Sequence, residues 1–190
     1  MTGYVELVSR VKSFRFAPIY FWYSYCALVY YTTVSLSRVD YCNAVYAMSP
    51  QTITSRLQRV LNAAARVVSD TGKFDRGLKT ILHDELHWLD VPERIEYKLG
   101  VTVYRCLHGR APRYLADHLI PASDAARHRR LRSANLNRLT VPRCRLSTYG
   151  CWAFYYAGLA VWNSLPDELR NSGSFDSFKR FLKTILFSRY

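Results

Sequence analysis

Acidic side chains that could bind catalytic metal ions occur in this chain as two adjacent pairs, Asp84-Glu85 and Asp167-Glu168. Two-metal nucleotidyl transfer needs adjacent aspartates and a third acid that together hold both ions. No Asp-Asp pair occurs in the sequence, and both acidic pairs stand in helix-like or turn-like surroundings. A phosphate-binding Gly-rich loop and a nucleophile elbow are absent as well. We interpret both pairs as surface charges and predict no catalytic residues and no enzyme.

The spacing of histidines and cysteines does not predict a zinc site. His83 and His87 are four residues apart, a spacing that can place two ligands on one helix face. The intervening residues lack a glutamate directly after the first histidine, as His-Glu-x-x-His requires, and no third ligand follows at a suitable distance. Five scattered cysteines favour a reducing compartment over a disulfide scaffold. We expect no metal, no cofactor and an intracellular location, nuclear or cytoplasmic, with a membrane as the alternative.

The sequence is rich in arginine, whose side chain can bind anions. Lys and Arg number 27 against 14 acids, so the net charge is +13 and favours nucleic acid or an anionic membrane surface as partner. No acid lies between Asp124 and Asp167, where the arginines are Arg127, Arg129, Arg130, Arg132, Arg138, Arg143 and Arg145. Guanidinium presents a fixed fork of donors that fits phosphate. A nuclear-import patch and a solvated loop are the alternatives.

A second group of arginines borders the clearest helix pattern in the chain. Ser49 can cap a helix with Pro50 as its first residue, and the pattern runs to about Ser69. At 100° per residue, one face collects Leu57, Val60, Leu61, Ala64, Val67 and Val68. The predicted phosphate-binding residues are Arg56, Arg59, Arg66, Arg127, Arg129, Arg130, Arg132, Arg143 and Arg145. For the three on the helix, a plain solvated face is the alternative.

Other segments predict further helices. A short helix is expected from Asp75 to about Leu86. A longer one begins where Asp90 can cap and Glu93 follows three residues later, and it reaches about His108. Its expected buried face is Ile95, Leu99, Val103, Cys106 and Leu107. A turn and short helix follow over 111–117. A last helix, capped by Ser174, has one face of Phe175, Phe178, Phe181, Leu182, Ile185 and Leu186.

The stretch between these helices lacks a helical pattern. Residues 125–138 show no apolar period and are predicted to form a loop, whereas 139–146 alternate around Pro142 in the manner of a short edge strand. The predicted fold class is therefore mostly α. We expect a small helical bundle with an Arg-rich loop and room for one short β-hairpin or edge strand.

The first 36 residues differ in composition from the rest. No charged residue occurs from Phe16 to Ser37, and this run is long enough to span a bilayer, which needs about 20 residues. Five tyrosines and Pro18 argue against a span, since tyrosine prefers the membrane interface. The alternatives are a buried helix or strand pair, a membrane span, and a decayed or frame-shifted segment.

Three stretches carry a resemblance to a known family. They read Ser-Arg-Val-Asp-Tyr-Cys-Asn-Ala-Val over 37–45, Leu-Gln-Arg-Val-Leu-Asn-Ala-Ala-Ala-Arg over 57–66 and Trp-Asn-Ser-Leu-Pro-Asp-Glu-Leu-Arg over 162–170. Together they resemble the end of the reverse transcriptase of jockey-like non-LTR retrotransposons. Cys151-Trp152, Tyr155-Tyr156 and Leu159 depart from the family pattern.

The resemblance implies a domain division and a set of partners. Residues 37–190 would be a thumb-like and C-terminal tail module, while 1–36 are unlike the family. In a complete member, such a module lies against template RNA and primer DNA beside the catalytic palm, which is missing here. Expected partners are thus RNA or an RNA–DNA hybrid and other parts of a polyprotein. The alternatives are a membrane-anchored small protein using 16–37, and a translated relic with no selected function.

Overall fold

The structure, a computed structural model, describes residues 30, 33–34, 36–117, 119–122, 137–141 and 154–190. They form a small, mostly helical bundle, which confirms the predicted fold class. Residues 36–40 are helical. The elements that follow are a 3-10 helix (Asn43–Tyr46), α1 (Gln51–Ser69), α2 (Leu78–Thr80), a π-helical turn (Ile81–Glu85), α3 (Val91–Leu107), α4 (Arg113–Ala116), α5 (Phe154–Ser164), α6 (Asp167–Arg170) and α7 (Phe175–Phe187).

Helix α1 has nearly its predicted length, but its start and its buried face differ from the prediction. Pro50, and not Ser49, occupies the cap position, and no side chain caps the helix. The buried Ser49 hydroxyl has no hydrogen-bond partner among the described residues. Leu61 is buried as expected, whereas Val60 is 51% and Val67 58% exposed. Ala65, which was not part of the predicted face, is fully buried, so the buried side of α1 is rotated from the predicted apolar face.

The helix predicted from Asp75 to Leu86 is shorter at its start and changes type within its length. Gly77, just before α2, has a φ of 90°, a conformation that suits glycine. The following turn widens to a π-helix and buries His83. The Trp88 N–H donates to the Leu82 carbonyl over 2.8 Å, and His83 Nδ1 lies 3.0 Å from the Trp88 carbonyl. These two contacts tie the wide turn to the residues that directly follow it.

Helix α3 is the central element, since it contacts the 3-10 helix, α1, α4, α5 and α7. Asp90 stands at its cap position, but its carboxylate makes no capping hydrogen bond, so this part of the prediction is wrong. Gln58 of α1 replaces it, because its Oε1 accepts the Val91 N–H at 2.8 Å and its Nε2 donates to the Asp90 carboxylate at 2.7 Å. Of the five residues predicted to be buried on α3, Leu107 alone is exposed.

Residues 137–141 run beside α5. Within the described ranges there is no β-strand, only an isolated antiparallel bridge between Pro121 and Leu139. Of the strand predicted over 139–146, the structure describes 139–141, which form no strand beyond this bridge; the remainder lies outside the described residues, as does most of the predicted loop.

Helix α7 begins after Ser174 as predicted, but that serine makes no side-chain capping bond. Phe178, Leu182 and Leu186 are buried, whereas Phe181 is exposed, against the prediction. The helix therefore presents a narrower apolar face to the bundle than the sequence suggested.

Two hydrophobic clusters form the core, and α3 belongs to both. Its first half places Val91, Ile95 and Leu99 in a cluster with α1 and the π-helical turn. Its second half contributes to a cluster with α5, α6 and α7, through Val103, Tyr104 and Cys106. Phe154 packs against both clusters. The core is thus built along one helix.

No helix in the described ranges has both the length and the apolar character needed to cross a bilayer. Almost all of the 16–37 run lies outside those ranges. The proposed alternatives for that run, and the division of the chain at residue 36, therefore stay predictions.

Candidate nucleic-acid interface

The nine arginines predicted to bind phosphate divide into two groups. Three, Arg56, Arg59 and Arg66, lie on α1. The other six lie outside the described residues, namely Arg127, Arg129, Arg130, Arg132, Arg143 and Arg145. The geometry of the candidate interface is therefore that of α1 and its surroundings.

One side of α1 is turned to solvent along its whole length. Arg56, Val60, Ala63 and Val67 are all exposed and follow one another at helical spacings, with exposed Arg59 beside them. We call these five residues the outer face of α1. At 1.5 Å rise per residue, Arg56 and Arg59 are separated by about 4.5 Å along the helix axis. At this separation both side chains can contact neighbouring phosphates of one strand. The face combines two guanidinium groups with small apolar side chains.

Arg56 and Arg59 are not neutralised within the described part of the chain. Neither forms an ion pair or a side-chain hydrogen bond with a described residue. Arg66 is different, since it is half-buried and its Nε is buried without a hydrogen-bond partner among the described residues. It lies in the last turn of α1, where a cation favours the helix dipole. The first two arginines are therefore the better placed for an external anion.

Sequence reasoning missed three exposed cations that follow α1. Lys73, Arg76 and Lys79 are exposed in the connection to α2 and in α2 itself. The composition could have predicted this positive surface, because six cations and only two acids occur over residues 51–80. One of those acids, Asp75, accepts the Gly72 N–H at 2.6 Å and so orders the turn. The positive surface thus extends beyond the helix that was predicted to carry it.

An exposed aromatic ring lies within this basic region. Phe74 is 89% exposed, and Lys73 Nζ is 5.6 Å from its ring centroid. A ring this exposed offers a free face to an unpaired base, and stacking of this kind is tolerant of sequence.

Two cations of the last helix and its end, Lys179 and Arg189, are already paired with carboxylates. Lys179 Nζ lies 3.0 Å from the Asp176 carboxylate, and Arg189 lies 2.7 Å from the Glu96 carboxylate. Side-chain hydrogen bonding to Lys179, together with its charge, holds the pKa of Asp176 below its usual value. Binding a phosphate at these cations would compete with an existing carboxylate, which distinguishes them from Arg56 and Arg59.

The segment between the two arginine runs is anchored to α5. Trp162 Nε1 donates to the Asn137 carbonyl at 2.9 Å. The Asn163 side chain bonds to the backbone of Leu139 twice, since its Oδ1 accepts the N–H at 2.9 Å and its Nδ2 donates to the carbonyl at 2.7 Å. We call these three bonds the α5 clamp. It fixes the backbone that directly joins the 127–132 and 143–145 runs.

The histidines do not form a metal site in the described ranges. His83 is buried and its Nδ1 bonds to the Trp88 carbonyl, while His87 Nδ1 lies 3.2 Å from the His83 carbonyl. Because a carbonyl only accepts, both Nδ1 atoms carry the proton. Among the described residues, no group of three His, Cys, Asp or Glu is arranged to hold an ion.

The comparisons with known proteins identified no relative of this chain. No family model matches the chain, and neither a curated protein nor a solved structure is significantly similar to it. The resemblance carried by the three stretches described above therefore stays a prediction, and the candidate interface is argued from its own geometry.

Proposed function

We propose that residues 37–190 are the thumb-like and C-terminal tail module of a retrotransposon-encoded reverse transcriptase of the jockey-like group, without its catalytic palm. In this proposal the module holds RNA or an RNA–DNA hybrid by its phosphates and does not read the sequence. Other parts of such a polyprotein, above all the palm, are its proposed protein partners. The observation that carries the proposal is the outer face of α1, where Arg56 and Arg59 are exposed and unpaired with any described carboxylate.

The chemistry of this binding follows from the guanidinium group. Each phosphate that an arginine neutralises releases condensed counterions, so affinity falls as salt rises. Contacts of this type fix the position of a strand but carry no sequence information. The apolar residues of the outer face, Val60, Ala63 and Val67, offer a base no donor or acceptor. We therefore assign the module a positioning role and no catalytic step.

Salt-dependent binding by the full chain tests the proposal. The ligand is a labelled RNA–DNA hybrid, and affinity is measured between 50 and 200 mM salt for the wild type and an Arg56→Gln/Arg59→Gln variant. Loss of two phosphate contacts reduces the logarithmic salt slope by about 1.8, since each contact contributes about 0.9. Over a fourfold change in salt, the affinity of the variant should fall roughly tenfold less than that of the wild type.

A matched control removes the same charge elsewhere. Lys179→Gln/Arg189→Gln also lowers the net charge by two, but at cations already paired with carboxylates. It should leave the salt slope within about 0.5 of the wild-type value. Equal slopes in both double variants would mean that net charge and not the outer face of α1 governs binding. Absence of binding at 50 mM salt would reject the nucleic-acid proposal outright.

A further inference from the structure

The connection between α1 and α2 contains a tight turn over residues 72–75, with Lys73 and Phe74 at its centre. Two hydrogen bonds between its first and last residues close it. The Asp75 N–H donates to the Gly72 carbonyl at 3.2 Å, and the Asp75 carboxylate accepts the Gly72 N–H at 2.6 Å. A Cβ on residue 72 would lie 3.1 Å from that carboxylate, so glycine allows its close approach. We call residues 72–75 the Phe74 turn, and these bonds hold it in one shape.

The ring at the tip of this turn is open to solvent. Among the large hydrophobic side chains of the described residues, Phe74 is the most exposed, at 89%. Single apolar residues are common on protein surfaces, so the surroundings of the ring decide what it can bind. Lys73 Nζ lies over one face of the ring, 5.6 Å from its centroid, within the range of a cation–π contact. The opposite face remains free for a planar ligand.

The surroundings of the ring are positively charged. Lys73, Arg76 and Lys79 are exposed, and none of them forms an ion pair with a described residue. The single acid between residues 71 and 80 is Asp75, whose carboxylate is bonded within the turn. An open aromatic face among unpaired cations suits a ligand that is both planar and anionic. A nucleotide in a single strand has both properties.

The turn lies beyond the end of α1, whose outer face carries the proposed phosphate contacts. Arg59 and Ser69, the last residue of α1, are separated by about 15 Å along the helix axis. Phosphates of one strand in a duplex follow one another at about 3.4 Å, so this length corresponds to four or five of them. A strand held at Arg59 therefore needs several further nucleotides to reach the turn.

We infer that Phe74 is a stacking site for an unpaired nucleobase. Bases in a duplex are already stacked on their neighbours, so a base must be unpaired before it can lie on the ring. The cations beside the ring contact phosphates of the same strand. The inference deepens the proposed function and rests on it for the identity of the ligand. The outer face of α1 holds phosphates, and the Phe74 turn adds a contact that a single-stranded part alone can make.

Removal of the bases from a strand, and of the ring from the protein, tests the contact. The probes are a labelled single-stranded RNA of about ten nucleotides and an abasic strand of the same length, which keeps the phosphates. Both are titrated with the full chain at about 100 mM salt. Phe74→Ala removes the ring, and Phe74→Leu keeps an apolar side chain without an aromatic face. Phe181→Ala is the matched control, because it removes another exposed phenylalanine that lies between cations, Arg180 and Lys183.

The wild type and Phe181→Ala should bind the RNA roughly tenfold more tightly than the abasic strand. Phe74→Ala and Phe74→Leu should bind the two strands with affinities within about twofold of each other, because the ring that stacks the base is gone. Equal binding of both strands by the wild type overturns the inference. So does a preference for the RNA that persists in Phe74→Ala or Phe74→Leu, or one that is lost equally in Phe181→Ala.

An exposed ring beside lysines can also enter an anionic bilayer, and the same variants separate this outcome. Sedimentation with vesicles of phosphatidylcholine and phosphatidylserine measures it. The wild type and Phe74→Ala should bind these vesicles equally. Weaker vesicle binding by Phe74→Ala, together with equal affinities of the wild type for the two strands, would assign the ring to a membrane surface and overturn the inference.

These outcomes are separable from those of the proposed function. Phe74→Ala keeps the outer face of α1, so it should retain the wild-type salt slope for a blunt RNA–DNA hybrid, which has no unpaired base. Arg56→Gln/Arg59→Gln keeps the ring and should retain the wild-type ratio of affinities for RNA and abasic strand. An unchanged salt slope in the arginine variant, with that ratio still dependent on Phe74, rejects the proposed function alone. A reduced slope without any preference for the RNA rejects the stacking site alone.

Discussion

Removal of the Asn163 side chain should destabilise the protein by about 2 to 3 kcal/mol. Asn163→Ala deletes the two hydrogen bonds of the α5 clamp to Leu139, a residue that is 4% exposed. Each bond contributes about 1 kcal/mol net, and buried backbone groups left without partners add about 1 kcal/mol or more. The higher helix propensity of alanine returns roughly 0.5 kcal/mol.

Urea denaturation of the full chain, followed by circular dichroism, measures this change. Ser164→Ala is the matched control in the next position, because its hydroxyl bonds to the Val161 carbonyl at an exposed site and its loss should cost under about 0.5 kcal/mol. Hydrogen exchange at the Leu139 amide should accelerate in the Asn163 variant alone. If the free energy of unfolding of the two variants is the same within 0.5 kcal/mol, the clamp does not stabilise the fold.

Two further predictions concern the core and the titration of a tyrosine. Gly158→Ala places a Cβ 3.0 Å from Val103 Cγ2, and since a helical valine is fixed at χ1, crowding should outweigh the gain in propensity and cost about 1 kcal/mol. In a Val103→Ala background the same change should cost less, as a double-mutant cycle in urea would show. Burial raises the pKa of Tyr190 above its usual value of 10.0, so above about pH 10 the unfolded state loses this proton first and stability should fall. Tyr190→Phe removes that titration and also the hydrogen bond from the Asp90 N–H, so it should be less stable at pH 8 but lose less stability between pH 9 and 11. An equal loss in both proteins over that interval would contradict the assignment.

Helix positions were predictable from the sequence, whereas helix ends and exposures were less so. The period of α1 and α3 is a local property, and both helices lie where the pattern placed them. Capping by Gln58 could not be read locally, because the group that satisfies the Val91 N–H is 33 residues away. The exposure of Phe181 likewise depends on how far the neighbouring helices reach around α7.

The candidate sites follow the same division between local and distant information. Spacing on α1 predicted that Arg56 and Arg59 would border a buried apolar face, whereas both lie on the exposed side of the helix beside Val60, which was predicted to be buried. Lys73 was not predicted because it lies in a turn, where hydrophobic periodicity gives no signal. The position of residues 137–139 beside α5 was beyond the sequence, since it depends on hydrogen bonds from Trp162 and Asn163 to Asn137 and Leu139. Tertiary hydrogen bonds, and not sequence patterns, hold that segment in place.

Because α3 belongs to both hydrophobic clusters, the parts of the chain on either side of it share one core. Residues 36–122 by themselves would leave the apolar side chains of the second half of α3 uncovered, and 137–190 by themselves would leave Trp162 and Phe178 uncovered. Neither piece has a complete core, so neither is a domain in its own right. A protease cut between them would produce two fragments that remain associated, because the linkage contributes chiefly a high effective concentration and α3 contributes the contacts. The protein should therefore melt as one unit, and its two fragments should find each other again when mixed.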